Sequence, residues 1–479
     1  MSPFPIQGVR NARAALLVSA VAASLSACAA MPNLGPAPQP KVVASYAADR
    51  TLAAPAAAWP SDAWWRGYGD AQLNGLIDEA LAGSPSLEIA QARVRRAQAM
   101  AEEVGAALKP QAGAAASAGY AKQSYNNGIP KAFVPNGWND VGQAGVNLVW
   151  DLDLFGRNRA LLAAATSQAE AARADEAAAR LMLSTSVASA YANLAQLYAD
   201  RDVAIEGARI RAESETLIGR RASQGLETQA AVERAHAARA AAEAELKGLD
   251  EALGLTQNAI AALLGQGPDR GRDIARPAPR AIRAFGLPGN LRADLIGRRP
   301  DVVAARLTAT AAGDRIKVAR ADFYPNINLS AAVGVQSLGL DMLTKSGSSM
   351  GDVGPAVSLP IFSGGRLEGA YRGARADYDA AVAAYDETLT QALREVADAA
   401  VSARALDGRL AKSREAMNAA DAAYGLTKMR YAQGLGTYLD VLTAEDALIQ
   451  SRRAVTDLES RAFTLDIALI RALGGGYRA

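Results

Sequence analysis

Hydrophobic and polar residues alternate along the segment 146–155, whose sequence is VNLVWDLDLF. The residues that share a side with Val146 are apolar as far as Leu154, and the opposite side is mostly polar. Period two predicts a β-strand with one apolar face, and this length suits a tilted strand that crosses a bilayer. Gly156 ends the alternation, and the Ala-, Arg- and Glu-rich run from Asn158 predicts a long helix that follows directly.

The second half of the chain repeats this arrangement. A linker rich in Pro and Gly at 265–290 is followed by two more alternating segments, 326–336 and 353–361, each of which predicts a strand. The sequence FSGGR at 362–366 then precedes a second helical pattern, as FGR at 155–157 precedes the first.

Other landmarks recur at a constant separation. The sequence RASQGL at 221–226 corresponds to RYAQGL at 430–435, an offset of 430 − 221 = 209. The pair LG at 264–265 recurs at 473–474 with the same offset. Several landmarks in the same order indicate a tandem duplication.

The small and polar residues at 111–125 predict a further, weak strand in the first half, so each half supplies two strands and one chain supplies four. Lipid leaves the edge of an open sheet without hydrogen-bond partners, so membrane strands must close into a barrel. Four strands are too few, because the smallest natural membrane barrels have about eight. Two chains would give eight strands and three would give twelve. An eight-stranded barrel fills its interior with side chains, which favours three chains for a conducting pore.

Composition narrows the function further. Half of the 479 residues are hydrophobic but only 5% are aromatic, which favours long, narrow helices over one large core. The net charge of +2 argues against nucleic acid as a partner. No run of about 20 apolar residues follows the N-terminus, so no transmembrane helix is predicted.

One cysteine, Cys28, and one histidine, His236, exclude a Cys/His metal cluster and a Cys–His nucleophilic pair. We expect no enzymatic activity, no catalytic residue and no metal site, and we expect His236 to be an ordinary helix-surface or packing residue.

The N-terminus has the features of a secretory signal. Arg10 and Arg13 precede an apolar run at 14–24, and the sequence LSAC follows at 25–28. LSAC resembles a bacterial lipobox, in which the cysteine becomes the acylated first residue of the mature protein. Ala29 argues, by analogy with lipoprotein sorting, against retention in the inner membrane. Acyl chains contribute about 0.8 kcal/mol per buried CH₂, so multiple acylation of Cys28 would hold the chain firmly. The alternative is an ordinary signal peptide with a chance cysteine.

These patterns divide the chain into five segments. They are a lipoprotein signal peptide at 1–27, a lipid-anchored tether at 28–60, a first repeat at 61–264, the linker at 265–290 and a second repeat at 291–479. The first repeat holds strands at about 111–125 and 141–155 and a helical hairpin at about 158–224. The second holds strands at about 326–337 and 351–362, a helical hairpin at about 366–433 and a C-terminal equatorial segment.

Taken in order, the motifs resemble those of the outer-membrane factors, the TolC-like ducts of Gram-negative efflux and secretion systems. The similarity is greatest to the lipid-anchored branch that serves multidrug pumps of the RND type. The segments that carry it are WW at 64–65 with L-x-x-LI at 73–77, WDLDLFGR at 150–157, LP at 287–288 with RRPDV at 298–302, REVAD at 394–398, QGLGTYLDVL at 433–442 and ALGGG at 472–476. Ala71 and Ser84 depart from the family, which often has Pro and Asn there.

The resemblance implies a mainly α-helical chain with a membrane β-barrel. Three copies would form a homotrimeric, twelve-stranded β-barrel in the outer membrane, continued by a long α-helical barrel in the periplasm. An equatorial belt would hold 224–226, 433–437 and the two terminal segments, and the periplasmic tip would lie near 200–202 and 406–409. A periplasmic adaptor and an inner-membrane pump, of RND type, would dock there. The expected function is passive export of small hydrophobic or amphipathic compounds. No cofactor is expected beyond the covalent N-acyl and diacylglycerol lipid on Cys28.

Charged residues at the two predicted turns are candidates for a periplasmic gate, because threefold symmetry would arrange them in rings that select ions. They are Asp200, Arg201, Asp202, Asp407 and Arg409. The alternative is that they only solvate exposed helix turns. Arg394 and Asp398, four residues apart, form either an ordinary surface ion pair or a latch between chains.

Two further acids, Asp151 and Asp153, lie on the polar side of the alternating segment. Facing lipid would be costly, so they are expected to line the barrel lumen.

Two other functions fit parts of the sequence. One is the outer-membrane duct of a type I, ABC-driven system that secretes polypeptides. The other is a periplasmic adaptor or coiled-coil lipoprotein without a pore. The alternating strands argue against the second, because an adaptor has no need of a lipid-compatible apolar face.

Overall fold

The computed structural model describes residues 31–278 and 285–478, and the chain in it is mostly helical. The predicted signal peptide, Cys28 and part of the linker lie outside the described residues. The helices are α1 Ala71–Gly83, α2 Pro85–Ala106, α3 Arg157–Ser223, α4 Gln229–Leu263, α5 Asp269–Arg272, α6 Leu291–Arg298, α7 Pro300–Ala321, α8 Arg366–Ala432 and α9 Tyr438–Ala472. The strands are β1 Gln111–Ala121, β2 Asn139–Asp151, β3 Asn326–Leu338 and β4 Ser349–Ser358. Among the residues described, no helix combines the length and apolar composition needed to cross a membrane.

The four strands form one antiparallel sheet in the order β1-β2-β3-β4. Val146 pairs with Val333, and Leu148 pairs with Ala331, which in turn pairs with Val353. Residues that pair across strands share a face, so the apolar positions of β2, β3 and β4 form one continuous apolar surface. Most of these side chains are exposed to solvent in the single chain. The alternation therefore predicts both the strands and their apolar face.

The helices confirm the duplication. Both α3 and α8 have 67 residues, and their first residues are separated by 366 − 157 = 209. Both α4 and α9 have 35 residues, and their separation is again 438 − 229 = 209. At about 1.5 Å per residue, each long helix is about 100 Å long.

The predicted helix turns near 200–202 and 406–409 are wrong, because α3 and α8 pass through both segments without a break. The chain turns instead at 224–228 and 433–437. Asp and Arg cost only a few tenths of a kcal/mol inside a helix, and one glycine such as Gly408 costs about 1 kcal/mol, so neither ends a long helix.

The chain divides into two compact units, each described by itself. One consists of the residues up to Pro40, Val94–Ala171 and Ala305–Tyr385, and it contains the sheet. The other consists of Lys41–Arg93, Ala172–Ala304 and Asp386–Ala479. The boundaries at 93, 171, 304 and 385 all fall inside helices.

The second unit contains the largest side chains of the core. Trp64 and Trp65 are buried with their rings edge to face, 5.7 Å between centroids, beside Leu73, Ile77 and Tyr191. Burial of such side chains stabilises the unit by about 1.5–3 kcal/mol each. The WW and L-x-x-LI motifs are thus core motifs.

Candidate functional site

The two helix turns, 224–228 and 433–437, lie side by side and are called here the paired turns. The Arg221 guanidinium lies over the ring of Tyr431, 4.7 Å from its centroid, and its Nη1 donates a hydrogen bond of 3.3 Å to the Tyr431 carbonyl oxygen. The Tyr431 hydroxyl donates to Glu227 at 2.9 Å. Residues of both repeats therefore brace one another where the long helices end.

Both turns have the same backbone geometry. Gly225 and Gly434 have φ values of 73° and 78°, in the left-handed region that favours glycine. The N–H of the leucine that follows donates 2.9 Å back to the carbonyl of Arg221 or Arg430, which is the bond of a Schellman helix end. Thr228 and Thr437 then cap α4 and α9 through their side chains.

The paired turns carry an exposed apolar surface. Leu226 is 59% exposed, Leu435 is 63% exposed and Leu439 is 57% exposed. Beneath them Tyr431, Tyr438 and neighbouring apolar side chains form a buried cluster. Exposed leucines on a braced, well-packed end suit the binding of another protein.

The residues expected at a gate lie elsewhere. Asp200 lies 24 residues before Gln224, so about 36 Å along α3 separates it from the turn. Arg201 donates to Asp250 at 2.7 Å, and Asp202 pairs with Arg276. Burial, with repulsion from the nearby carboxylates of Asp457 and Glu245 that Arg453 opposes, raises the pKa of Asp200 to about 6.

Asp407 and Arg409 are exposed in the middle of α8. Neither the charged residues at 200–202 nor those at 407 and 409 therefore lie at a helix turn, which was the reason for assigning them to a gate. Arg394 and Asp398 form the expected pair on α8, with Nη1 and Oδ2 3.0 Å apart and both side chains mostly exposed. A latch between chains stays a prediction.

The first strand-to-helix join, residues 151–159, uses its acids in a way that the alternation did not predict. Strand β2 ends at Asp151, and Asp153 takes a positive φ of 47° with a side chain only 5% exposed. Its two carboxylate oxygens accept hydrogen bonds of 2.9 Å from the backbone N–H groups of Asn158 and Arg159. Asp153 therefore caps α3, and its placement on the strand was wrong because a helix N-terminus attracts a carboxylate.

Asp151 also contributes to the join. Its Oδ2 accepts 2.9 Å from the Asn158 side chain and its Oδ1 accepts 2.8 Å from the backbone N–H of Asp153. A lumen position for Asp151 stays a prediction. The second join, at 358–366, has no such acid and turns through Gly364 and Gly365, with φ values of 58° and 86°.

No group of three or more His, Cys, Asp or Glu side chains within 31–278 and 285–478 is arranged to hold a metal ion. His236, expected to be an ordinary helix-surface or packing residue, is exposed on α4 and pairs with Glu215 at 3.0 Å. The braces Arg221, Glu227 and Tyr431 were not among the expected site residues. The repeated QGL motif was the available signal, because its glycine takes the left-handed conformation in both repeats.

Comparison with known proteins agrees with this architecture. The family model described as outer membrane efflux protein matches residues 76–266 and 291–475, which is one match in each repeat. The fusaric acid resistance protein FusA of Burkholderia cepacia is 37% identical over 364 residues, 74% of this chain and 67% of FusA. The multidrug resistance outer membrane protein MdtP of Escherichia coli K12 is 29% identical over 428 residues, 88% of either chain.

Among solved structures, the outer membrane protein VceC of Vibrio cholerae superimposes with a TM-score of 0.83 and 47% identity. The match covers 88% of this chain and all of VceC. These matches confirm the predicted fold class, with its tandem repeats, and the predicted location in the outer membrane. The chain therefore belongs to the outer membrane efflux protein family.

Proposed function

We propose that this protein is the outer-membrane exit duct of a tripartite efflux system and passively exports small hydrophobic or amphipathic compounds. The observation that carries the proposal is the sheet of four strands whose edges, β1 and β4, each lack a second partner within the described residues. Strands β2 and β4 lead, through the joins, into helices of 67 residues. An apolar sheet face continued by long helices suits a pore that extends beyond the bilayer.

The free edges support a homotrimer. Strand β1 of one copy would pair with β4 of the next, and three copies would close a twelve-stranded barrel wide enough to conduct. The boundaries of the two repeats, 61–264 and 291–479, belong to the same proposal, with family matches inside each.

The paired turns are the proposed docking site for a periplasmic adaptor, which would join the duct to an inner-membrane pump of RND type. Their exposed leucines and braced backbone support this. In this proposal they replace the tip expected near 200–202 and 406–409, and they no longer belong to the expected equatorial belt, because they lie where the 67-residue helices end. Relatives named for fusaric acid resistance and multidrug resistance favour small compounds over polypeptides as cargo. The alternative, an ABC-driven polypeptide duct, remains the second candidate because it would use the same fold.

Acylation of Cys28 also belongs to the proposal, and the tether supports it. Arg375, nine residues after the first residue of α8, donates to the carbonyl oxygens of Gly35 and Pro36. This lies about 14 Å along α8 from the end of the second join. The seven residues from Cys28 to Gly35 span up to about 24 Å when extended, so an acyl group on Cys28 would reach the level of the join.

Two experiments test the proposal. Single channels of the purified protein in a planar bilayer should conduct, and a strain that lacks the gene should become more susceptible to small hydrophobic toxic compounds. Oxidation of a chain with Ser117→Cys in β1 and a second cysteine at one of 350–356 in β4 should link three chains. The matched control places the second cysteine in β3, which β2 separates from β1. A protein that stays monomeric in detergent and never conducts would refute the duct.

A further inference from the structure

A single carboxyl group is buried below the paired turns. Glu445, on α9, is 0% exposed. The Ser214 hydroxyl of α3 donates 3.0 Å to its Oε2. Its Oε1 has no hydrogen-bond partner among the described residues, and the buried Tyr424 hydroxyl nearby has none either. Buried polar atoms are almost always hydrogen-bonded, so this arrangement requires an explanation.

The charged groups around Glu445 leave it without a full counterion. From α3, the Arg211 Nε lies 3.9 Å from Oε1, but the Arg211 Nη2 donates to Asp446 at 2.6 Å. From α8, Lys428 faces it but pairs with Glu213 at 3.5 Å. These two cations are therefore shared with other carboxylates.

The other neighbours do not supply a charge that would compensate. Tyr424 of α8 and Tyr438 of α9 are neutral phenols, and α4 contributes Ala231 and Ala235 to the same core. Burial, only partly offset by Ser214 and Arg211, raises the pKa of the Glu445 carboxyl.

The first repeat shows that the backbone does not impose this burial. At the offset of 209, Glu445 corresponds to His236 and Tyr424 corresponds to Glu215. There the two side chains form a pair on the surface, 3.0 Å apart, with the imidazole mostly exposed. The same position thus holds a solvated pair in one repeat and a buried acid in the other.

We propose that Glu445 is a proton-operated latch that holds α9 against α3 beneath the paired turns. As a neutral acid it fits the apolar core and keeps its hydrogen bond from Ser214. As a carboxylate it must share Arg211 with Asp446 or admit water between α3 and α9, and the admission of water loosens the packing of the two helices. The packing change itself does not depend on the proposed function. The idea that this change regulates adaptor docking does rest on it.

The direction with pH follows from linkage. The packed state binds the proton more tightly than the open state, so its extra stability is fully present below the ordinary pKa of glutamate. That stability is lost as the pH rises through the raised pKa. The packing beneath the turns should therefore loosen toward alkaline pH.

Hydrogen exchange of the full-length protein in detergent, followed by mass spectrometry, tests the latch. After correction for the intrinsic rate, peptides from 205–220 and 438–450 should be protected about threefold or more better at about pH 4 than at about pH 8. Glu445→Gln, which imitates the neutral acid, should keep the high protection at both pH values. The control is Glu459→Gln, an exposed acid on the same helix that pairs with Arg414. It should exchange like wild type.

Equal protection of the wild-type peptides at both pH values would overturn the latch, and this comparison needs no variant to fold. A pH dependence that persists in Glu445→Gln would also overturn it. The measurement uses no adaptor and no conductance. Failure of the latch is therefore distinguishable from failure of the duct proposal, which the bilayer and cross-linking experiments test separately.

Discussion

Replacement of Asp153 by alanine should loosen the start of α3. The substitution removes both acceptors of the backbone N–H groups of Asn158 and Arg159, at a site where Asn158 is buried. Loss of a capping side chain costs about 0.5–2 kcal/mol, and a buried unsatisfied N–H adds a cost of similar size. The mostly exposed Arg159 side chain adds little, because solvent screens its ion pair. We expect a loss of about 2–3 kcal/mol.

Hydrogen exchange of a peptide that covers 157–165 measures this loss. At about 1.4 kcal/mol per tenfold change, exchange in Asp153→Ala should be about 30- to 150-fold faster than in wild type. Asp153→Asn keeps one acceptor oxygen and should lose about half as much stabilising free energy as Asp153→Ala. Asp153→Gly loses both acceptors but relieves the positive φ of 47°, which costs a residue other than glycine about 1 kcal/mol. It should therefore exchange more slowly than Asp153→Ala.

The same cap predicts a dependence on pH. Burial opposes ionisation, but the backbone N–H groups of Asn158 and Arg159 and the Arg159 guanidinium outweigh it and lower the pKa of Asp153 below 3.8. Because the pKa is lowered in the folded protein, the cap stabilises α3 fully at pH values above the ordinary pKa of aspartate. This stability is lost as the pH falls through the lowered pKa. Protection of 157–165 should fall on acidification in wild type but not in Asp153→Ala. Unchanged exchange in Asp153→Ala would refute the capping role. Asp341→Asn, in an exposed turn of 3₁₀ helix, is the matched control.

Further substitutions test other parts of the structure. Gly474→Ala should cost about 3 kcal/mol or more, seen as a lower thermal midpoint, because its Cβ would overlap the Arg298 carbonyl oxygen at a φ of 84°. Gly434→Ala should cost about 1 kcal/mol and speed exchange at its turn without unfolding the rest. Arg299→Met should cost about 3 kcal/mol by leaving two carboxylates without their buried partner, and adding Glu395→Gln should recover part of the loss.

The periodicity of the sequence predicted the sheet well because the apolar positions have a physical task that is visible in the sequence. Apolar residues alternate with others along β2, β3 and β4. The members of this set, among them Val146, Val333 and Val353, share one face of the sheet. The duplication was equally clear, since several landmarks recurred in the same order at offsets of 207 to 215, and the corresponding helices have equal lengths. A pattern to which many residues contribute can still be recognised when a single residue departs from it.

The helix ends near 224 and 433 were predicted, but an extra turn was placed inside each long helix because the weaker of two kinds of signal was followed. The charged residues at 200–202 suggested a turn, yet charged side chains lie as well on the surface of a helix, where Arg201 reaches Asp250. The glycines at 225 and 434 carried a stronger signal, because an αL residue ends a helix at little cost only when it has no Cβ. The positions of the helix ends therefore follow from the backbone conformation of the glycines and not from the charge of the side chains.

The acids of the first join show why a face assignment is less secure than a strand assignment. Alternation places Asp151 and Asp153 on one side, and a carboxylate on that side could be satisfied by water in a lumen. The N-terminus of α3 offers a competing partner only five residues after Asp153, with N–H groups that lack acceptors inside the helix. Because that partner lies beyond Gly156, period two holds no information about it. Only the turn of the backbone at Asp153 brings the carboxylate to the helix, and the resulting cap gives the join its measurable stability.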